Sequence, residues 1–385
     1  MKDFHRNVEK TIIDDLQKKF VFLSGPRQVG KTTLAKRILK GKKGKYYLYD
    51  DADDRRIILE KKYTSQKWVC LDEFHKFARW KNHIKGVFDK HHETLHLLLT
   101  GSARLDVFQK SGDSLFGRYY PYHLHPFSLG ELHSSSRPTV PEDFLIAHEP
   151  LKHTSELLRF GGFPEPFSLQ SVKEHRRWSN TRRQLLIQQD LREISQIELI
   201  SLVEQLMLLL PHRIGSLFSQ RSLAENIQVS APTIQNWMRV FEQLFLVFKI
   251  KPYSRNIVRS LHKQAKYFLY DWSQIEDAGA RFENFVASHL LKAVQVWNDL
   301  GEGNFGLHFL RDRNGREVDF LLTNDNKPFL LLETKLAETQ FSESLHYFSK
   351  HLNVPAVQLL QKNNVVKMDG NCMVISANRW LGHLP

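Results

Sequence analysis

Short apolar runs separated by helical patterns occupy the N-terminal part of the chain. Residues 20–23, 68–71 and 95–99 are apolar almost throughout, which is typical of strands buried on both faces of a parallel sheet. After the first run, Leu34 and Ile38 recur at helical spacing. Alternating strand and helix patterns of this kind predict an α/β fold built on a parallel sheet.

The middle of the chain has helical patterns. Residues 141–200 are helical in their spacing, and Ser222 with Glu225 forms a capping box that predicts a helix starting at Ser222. After a short turn, Ser230 would cap a second helix that has Pro232 in its first turn. The apolar stripe of that second helix consists of Ile234, Trp237, Met238, Phe241 and Leu244.

A helix, a tight turn, a second helix and the strand-like run 245–250 are arranged as in a winged helix. The side chains off the apolar stripe would face solvent; they are Thr233, Gln235, Asn236 and Arg239. Gln, Asn and Arg on the outer face of such a helix suit base edges. The wing would span 249–266 and carry cations toward phosphates; they are Lys251, Arg255, Arg259, Lys263 and Lys266. The pattern favours DNA binding. The alternative is a packing or lid module that contacts no DNA.

The C-terminal third places charged residues at defined positions of a helix and two strands. These patterns cover residues 279–291, 316–322 and 329–335. Glu283 belongs to the helix, and pairing of the two strands would bring Asp319 beside Glu333. Because side chains alternate along a strand, Glu333 and Lys335 would lie on the same face.

The first apolar run ends in a glycine-rich loop with the spacing Gly-x4-Gly-Lys-Thr. Its residues are Gly25, Pro26, Arg27, Gln28, Val29, Gly30, Lys31, Thr32 and Thr33. A strand, this loop and a helix together form a P-loop, which directs main-chain N–H groups and a helix N-terminus at phosphates. Lys31 would reach the β- and γ-phosphates of ATP, and the Thr32 hydroxyl would bind Mg²⁺. The alternative is a chance glycine-rich turn.

Acidic residues end the second apolar run and predict the other half of the same site. We assign Asp72, at the end of a strand expected next to the P-loop strand, to Mg²⁺, and Glu73 to the general base. Ser102 follows the third run and would contact the γ-phosphate from between these strands, or cap a helix. Arg118 is the predicted arginine finger and Arg104 the second candidate, with surface ion pairs as the alternative for both.

Composition adds a charge surplus and excludes some classes of protein. Lys and Arg number 55 against 42 Asp and Glu, a net charge of +13 at pH 7, which favours a polyanionic partner such as nucleotide phosphates or nucleic acid. Only Cys70 and Cys372 are present, which excludes a disulfide framework or a cysteine zinc site. The polar start Met1–Glu9 and the strand-length apolar runs predict no export signal, no membrane span and a cytoplasmic location.

Taken together, these motifs resemble prokaryotic AAA-type ATPases, and more narrowly the group with a C-terminal domain of unassigned function. The matching residues are Gly25–Thr33, Leu71–Glu73, Thr100–Ser102, Leu115–Arg118 and Gly161–Pro164. This resemblance implies an ATP-driven machine that assembles as a homo-oligomer.

The C-terminal charges resemble a second family. Asp319, thirteen intervening residues and then Glu333-x-Lys335 are similar to the PD-(D/E)xK nuclease superfamily, and Glu283 would complete the acidic set of some branches. Two carboxylates would then bind Mg²⁺, and Lys335 would position water. Paired strands that end in charges are common, so a nuclease-like fold without cleavage, or a chance pattern, is the alternative.

The predicted architecture has four parts: an AAA-type ATPase core at residues 1–137, a helical lid at 138–200, a winged helix at 201–266 and a nuclease-like α/β domain at 267–385. A linker at residues 134–138 would close the core. Three functions follow. The first is an ATP hydrolase acting on or near DNA, the second is an ATP-dependent assembly switch, and the third is an ATP-gated metal-dependent nuclease.

Overall fold

The structure is a computed structural model that describes residues 4–101, 115, 117–133, 139–191, 199–254 and 264–385. Ser102, Arg104 and the predicted linker at 134–138 lie outside these ranges. Among the described residues, no helix combines the length and the apolar character that a membrane crossing requires.

The predicted apolar runs form strands of a five-stranded parallel sheet. Its strands are β1 (Phe20–Ser24), β2 (Lys45–Leu48), β3 (Trp68–Asp72), β4 (His96–Gly101) and β5 (Tyr119–His123). The helices around it are α1 (Glu9–Asp15), α2 (Lys31–Lys42), α3 (Ala52–Leu59) and α4 (Trp80–His91), with single 3₁₀ turns at Lys62–Ser65 and Phe74–Lys76. Helix α2 buries Leu34, Ile38 and Leu39, as its helical spacing predicts.

The strand order β2-β3-β4-β1-β5 corrects one expectation. Strand β3, which ends in Asp72, does not lie next to β1, because β4 lies between them and pairs with both. Apolar runs buried on both faces carry no information about which neighbour each strand takes. The carboxyl ends of all these parallel strands still meet at one edge, so Asp72 reaches the loop after β1 across the end of β4.

Helices form the segment that follows the first sheet. They are α5 (Leu129–His133), α6 (Thr154–Phe160), α7 (Pro164–Leu169), α8 (Val172–Leu185) and α9 (Ile200–Leu209), with a π-helical turn at Leu186–Asp190 and a 3₁₀ turn at Leu210–Arg213. The Gly161–Pro164 motif joins this segment to the first sheet, because Phe127 N donates to Gly162 O at 2.7 Å. Phe163 is buried against Trp178.

Two short helices follow, and one of them starts earlier than predicted. Helix α10 (Gln220–Ile227) is capped by Ser219, which accepts from Ser222 N, so the predicted start at Ser222 is wrong. Two serines three residues apart offer the same cap, and the earlier one forms it. The start of α11 (Ala231–Gln243) at Ser230 is confirmed, and its apolar stripe is buried.

The C-terminal sheet is mixed and has eight strands. They are β6 (Val247–Pro252), β7 (Lys266–Leu269), β8 (Phe305–Arg311), β9 (Glu317–Asn324), β10 (Lys327–Lys335), β11 (Ala356–Leu360), β12 (Val366–Asp369) and β13 (Cys372–Ser376), in the order β12-β13-β11-β10-β9-β8-β6-β7. The helices are α12 (Ala278–Asp299), α13 (Glu343–Leu352) and α14 (Ala377–Trp380), with 3₁₀ turns at Trp272–Gln274 and Leu381–His383.

The predicted pair β9–β10 is confirmed as antiparallel. Strands β6 and β7 pair with each other and extend the same sheet through β8. This sheet therefore runs across the predicted boundary between residues 266 and 267, and the four-part division stays a prediction.

The two sheets share one apolar core, which extends from Val8 in the N-terminal segment to Leu384 near the other end. Helix α12 packs between them; its Asp299 accepts from His123 N, at the end of β5, at 2.8 Å. The final residues dock on α5: Ser128 Oγ donates to Pro385 O at 2.8 Å. At Gly130, a Cβ atom would lie 1.8 Å from Leu384 O, so the docking requires glycine.

We predict that Gly130→Ala loosens this docking and lowers the melting temperature, because the added methyl group overlaps the backbone oxygen of Leu384 and the docked segment must shift. Gly41→Ala is the matched control. Gly41 lies in α2 with nothing within 4 Å of the added atom, so alanine should leave stability unchanged or raise it by about 0.5 kcal/mol. Thermal unfolding of both variants measures the difference. Equal melting temperatures for the two would contradict this account of the docking.

Candidate functional site

The glycine-rich loop connects β1 to α2, and both of its glycines meet a structural demand. A Cβ atom at Gly25 would lie 2.3 Å from Leu124 O, so the chain after β5 passes too close for any other residue. Gly30 precedes α2 with φ of 102°, in a region that favours glycine. A loop that curls into a helix N-terminus in this way is suited to phosphate groups.

Lys31 is the first residue of α2 and is buried beneath the loop. Its ammonium group donates to Gly25 O and Pro26 O, each at 2.8 Å. Burial lowers the pKa of Lys31 to about 8, while the carboxylates of Glu73 and Asp72 oppose this shift. The lysine is therefore held by the loop carbonyls, and the two carboxylates act on it electrostatically.

Asp72 is the centre of a hydrogen-bonded group at the carboxyl edge of the sheet. Its Oδ2 accepts from Thr32 Oγ1 at 2.6 Å and from the Tyr46 hydroxyl at 2.5 Å. Its Oδ1 accepts from Thr100 Oγ1 and from Glu73 N, the latter at 3.0 Å. Burial alone would raise the pKa of Asp72, but the hydrogen bonds from the three hydroxyls hold it below its ordinary value. Asp72 is thus ionised and fixed in direction.

Thr32 and Asp72, the predicted metal-binding pair, are in direct contact. A hydroxyl and a carboxylate are oxygen ligands of the kind Mg²⁺ takes, and Mg²⁺ commonly receives its other ligands from phosphates and water. In the part of the chain that the structure describes, no three His, Cys, Asp or Glu side chains could hold a metal ion. The pair offers two oxygen ligands, and a Mg²⁺ ion held there would take its other ligands from outside these side chains.

Glu73 has an unusual backbone, with φ of 54°. Such a conformation is costly for a residue other than glycine and occurs mainly at functional sites. Burial raises the pKa of Glu73; among its neighbours, Lys31 opposes the shift and Asp72 adds to it. His75 Nδ1 lies 3.5 Å from the carboxylate, and burial lowers the pKa of His75 to about 4. Glu73 thus has a neutral imidazole beside it.

Arg27 links the loop to the helical segment. Its guanidinium group donates to Asp190 Oδ1 at 2.5 Å and to Gln189 Oε1 at 2.8 Å. Both acceptors lie in the π-helical turn, a feature that occurs often at functional sites. Sequence reasoning missed Asp190, because no local pattern relates it to a loop more than 160 residues earlier.

Arg6 supports the loop from the other side and was also missed. It donates to Val29 O at 3.0 Å, to His125 O, and to Glu131 Oε1 at 2.9 Å. Lys292 of α12 donates to Glu131 Oε2 at 2.7 Å. Burial would raise the pKa of Glu131, but these two cations hold it below its ordinary value. Two buried ion pairs therefore connect the loop to α12.

The predicted arginine finger lies away from this site. Arg118 precedes β5 and pairs with Asp89 at 2.8 Å. In the β1–β5 register Phe20 faces Tyr119, so Arg118 is at the amino edge of the sheet, opposite the loop. It does not reach the loop of its own chain, and its action on a neighbouring subunit stays a prediction.

Asp319, Glu333 and Lys335 come together on β9 and β10, as predicted. Asp319 N donates to Glu333 Oε2 at 3.4 Å, and Lys335 Nζ lies 3.2 Å from Glu333 Oε1. Asp319 Oδ2 accepts from Thr334 N at 2.8 Å and from Thr334 Oγ1 at 2.6 Å. Burial raises the pKa of Glu333 to about 7, and Asp319 adds to this shift.

Glu283 joins these residues from α12, together with a lysine that was expected elsewhere. Lys266 Nζ lies 3.4 Å from Glu283 Oε1 and 2.6 Å from Glu317 Oε1. Burial raises the pKa of Glu283 to about 8, with Asp319 adding to it and Lys266 opposing it. The prediction that Lys266 is a phosphate-binding cation of the wing is wrong, because the residue is 4% exposed. Carboxylates that are far from it in the sequence contact it and compensate for its burial.

Three family profiles match successive parts of the chain. Residues 17–133 match an AAA domain, which supports an AAA-type P-loop ATPase for this part. Residues 151–275 match a domain of unknown function (DUF8612), and residues 278–380 match another (DUF4143).

Similar proteins extend over most of the chain at low identity. An uncharacterized protein from Methanocaldococcus jannaschii is 21% identical and covers 94% of this chain and 84% of its own length. One from Mycobacterium tuberculosis is 22% identical and covers 80% and 68%. Among solved structures, the RuvB Holliday junction branch migration motor of Thermotoga maritima has a TM-score of 0.32 at 16% identity, covering 64% of this chain and 90% of that one. At this TM-score the likeness supports no statement about function.

Proposed function

We propose that this chain binds ATP with Mg²⁺ at the loop between β1 and α2 and hydrolyses it to ADP and phosphate. One observation carries the proposal: Lys31, Thr32, Asp72 and Glu73 converge at the carboxyl edge of the sheet. The AAA domain match over residues 17–133 supports the same activity.

The residues divide the work as their positions suggest. The N–H groups of the loop and the Lys31 ammonium group would bind the β- and γ-phosphates, with Lys31 exchanging the carbonyls of Gly25 and Pro26 for phosphate oxygens. Thr32 and Asp72 would hold Mg²⁺, which neutralises phosphate charge when bound. Glu73 would accept a proton from the attacking water as its oxygen bonds to the γ-phosphorus and the bond to ADP breaks.

DNA is the polyanion we propose as partner. The net charge of +13 favours a polyanion, and Gln235, Asn236 and Arg239 are exposed on α11. Beside them is a cleft of about 600 Å³ whose lining includes Arg221 and Lys251. Arg255, Arg259 and Lys263, the other cations expected on the wing, lie outside the described residues.

A second candidate is an ATP-dependent assembly switch in a homo-oligomer. It is favoured by a buried chain of hydrogen bonds that runs from Val29 O through Arg6 and Glu131 to Lys292. Through these contacts a change in the loop on ATP binding would alter the position of α12. In such an assembly Arg118 would act on the neighbouring subunit. The third candidate, an ATP-gated nuclease, depends on the C-terminal residues Asp319, Glu333 and Lys335.

We predict that Lys31→Ala abolishes ATP hydrolysis, because it removes the ammonium group that lies at the loop and would bind the phosphates. Glu73→Gln should lower turnover at least about 100-fold while ATP still binds, because only proton transfer is lost. Lys40→Ala, an exposed lysine of the same helix, is the matched control. Phosphate release and binding of a fluorescent ATP analogue measure the two effects. Turnover that persists in Lys31→Ala would defeat the proposal.

The pH dependence of ATP hydrolysis should be bell-shaped. Glu73 must be ionised to accept a proton, so kcat/KM should fall as the pH is lowered. Because the pKa of Glu73 is raised, this fall should begin at a higher pH than it would for an ordinary glutamate. Lys31 must be charged to bind phosphate, so kcat/KM should fall again as the pH rises above about 8. Steady-state rates from about pH 5 to about pH 9.5 show both limbs. Lys40→Ala should keep both limbs of the profile. A rate that stays constant above about pH 8 in the unmodified protein would contradict the role of Lys31.

DNA binding should depend steeply on salt. For the proposed surface, Lys251→Gln should reduce the slope of log K against log salt concentration by about 1, because one phosphate contact is lost. Arg313→Gln removes the same charge from an exposed site in the turn between β8 and β9 and should leave the slope unchanged. Fluorescence anisotropy with duplex DNA at several salt concentrations measures both. Equal slopes for the two variants would mean that Lys251 does not contact DNA.

A further inference from the structure

We propose that Lys266 supplies the cation of the C-terminal acidic cluster, so that this cluster binds no divalent metal ion while β7 is in place. The acidic cluster consists of Glu283, Glu317, Asp319 and Glu333. In a PD-(D/E)xK-like arrangement these carboxylates would surround a metal ion. Here an internal ammonium group lies against two of them, Glu283 and Glu317, and the proposal is independent of ATP hydrolysis at the loop.

Lys266 is held among the carboxylates by short contacts. Its Nζ lies 2.6 Å from Glu317 Oε1 and 3.4 Å from Glu283 Oε1, and its side chain is 5% exposed. Asp319 acts on it electrostatically from the same side. Two of the four carboxylates therefore contact one buried cation and a third attracts it, and a second cation placed among them would be repelled by it at close range.

Two carboxylate oxygens of the acidic cluster already have protein partners. Asp319 Oδ2 accepts two hydrogen bonds from Thr334, and Glu333 Oε1 pairs with Lys335. Mg²⁺ requires near-octahedral oxygen ligands at about 2.0–2.1 Å. Over the described ranges, the acidic side chains do not form a group of three that could hold a metal ion. The donor set, as arranged, does not fit a divalent ion.

The cation and the carboxylates of the acidic cluster come from different parts of the chain. Lys266 is the first residue of β7, pairs with Ile250 of β6, and forms a further bridge to Leu217 before α10. The ammonium group thus comes from the β6–β7 hairpin, whereas the carboxylates come from α12, β9 and β10. Because β7 is the edge strand of the sheet, its displacement is what would empty the cation position.

Binding of Mn²⁺ tests the proposal. The full chain is used with Asp72→Asn, which removes the proposed metal ligand near the loop, and free Mn²⁺ is followed by electron paramagnetic resonance up to about 1 mM. We expect no Mn²⁺ bound at the acidic cluster. Adding Lys266→Met should create one site with at least about tenfold higher affinity, and further addition of Glu283→Gln should remove it. Lys266→Arg, which keeps the positive charge, should bind no Mn²⁺.

The opposite result is equally clear. If the Asp72→Asn protein with Lys266 intact binds Mn²⁺ and loses it on addition of Asp319→Asn, the cluster is a metal site and the proposal is overturned. This comparison does not require any Lys266 variant to fold. If Lys266→Met folds, as judged by circular dichroism, and binds no more Mn²⁺ than Lys266→Arg, the proposal is overturned as well.

Discussion

The structure depends on holding the main chain between β1 and α2 in a tight curl. Three contacts fix it: Gly25 passes against Leu124 O, Arg6 binds Val29 O, and Lys31 binds the carbonyls of Gly25 and Pro26. Cations bind carbonyl oxygens of this loop, and a helix N-terminus follows it, which is an arrangement suited to an anion. The curl also fixes Thr32, and through it the position of Asp72.

The same constraint extends into the C-terminal part of the chain through one buried carboxylate. Glu131 binds Arg6, which holds the loop, and Lys292, which belongs to α12. Removing one partner from a buried ion pair commonly costs about 3–5 kcal/mol, so neither end of this path is free to move alone. Helix α12 also carries Glu283 of the acidic cluster. The loop and the acidic cluster are therefore connected through one helix, although each has its own cation.

Residues whose roles follow from local patterns were predictable, and those whose partners are distant were not. The strands around Lys31 and Asp72 are marked by apolar runs and by the loop spacing, so their meeting could be expected from sequence. The order of the strands was less clear, because the sequence predicts both that β3 lies next to β1 and that Ser102, after the third run, lies between them. Strands buried on both faces do not specify neighbours, so the apolar runs do not decide between these expectations. Lys266 was predicted to be exposed because a lysine in a hairpin is ordinarily solvated. The carboxylates that surround it come from α12 and β9, which no local pattern relates to β7.

The most direct measurement is a crystal structure of the full chain with a non-hydrolysable ATP analogue and Mg²⁺. The account predicts phosphates within hydrogen-bonding distance of the loop N–H groups. It also predicts that Lys31 turns from the carbonyls of Gly25 and Pro26 to the phosphates, and that Mg²⁺ lies between Thr32 and Asp72. A structure in which the analogue is bound elsewhere, with Lys31 still on those carbonyls, would contradict it.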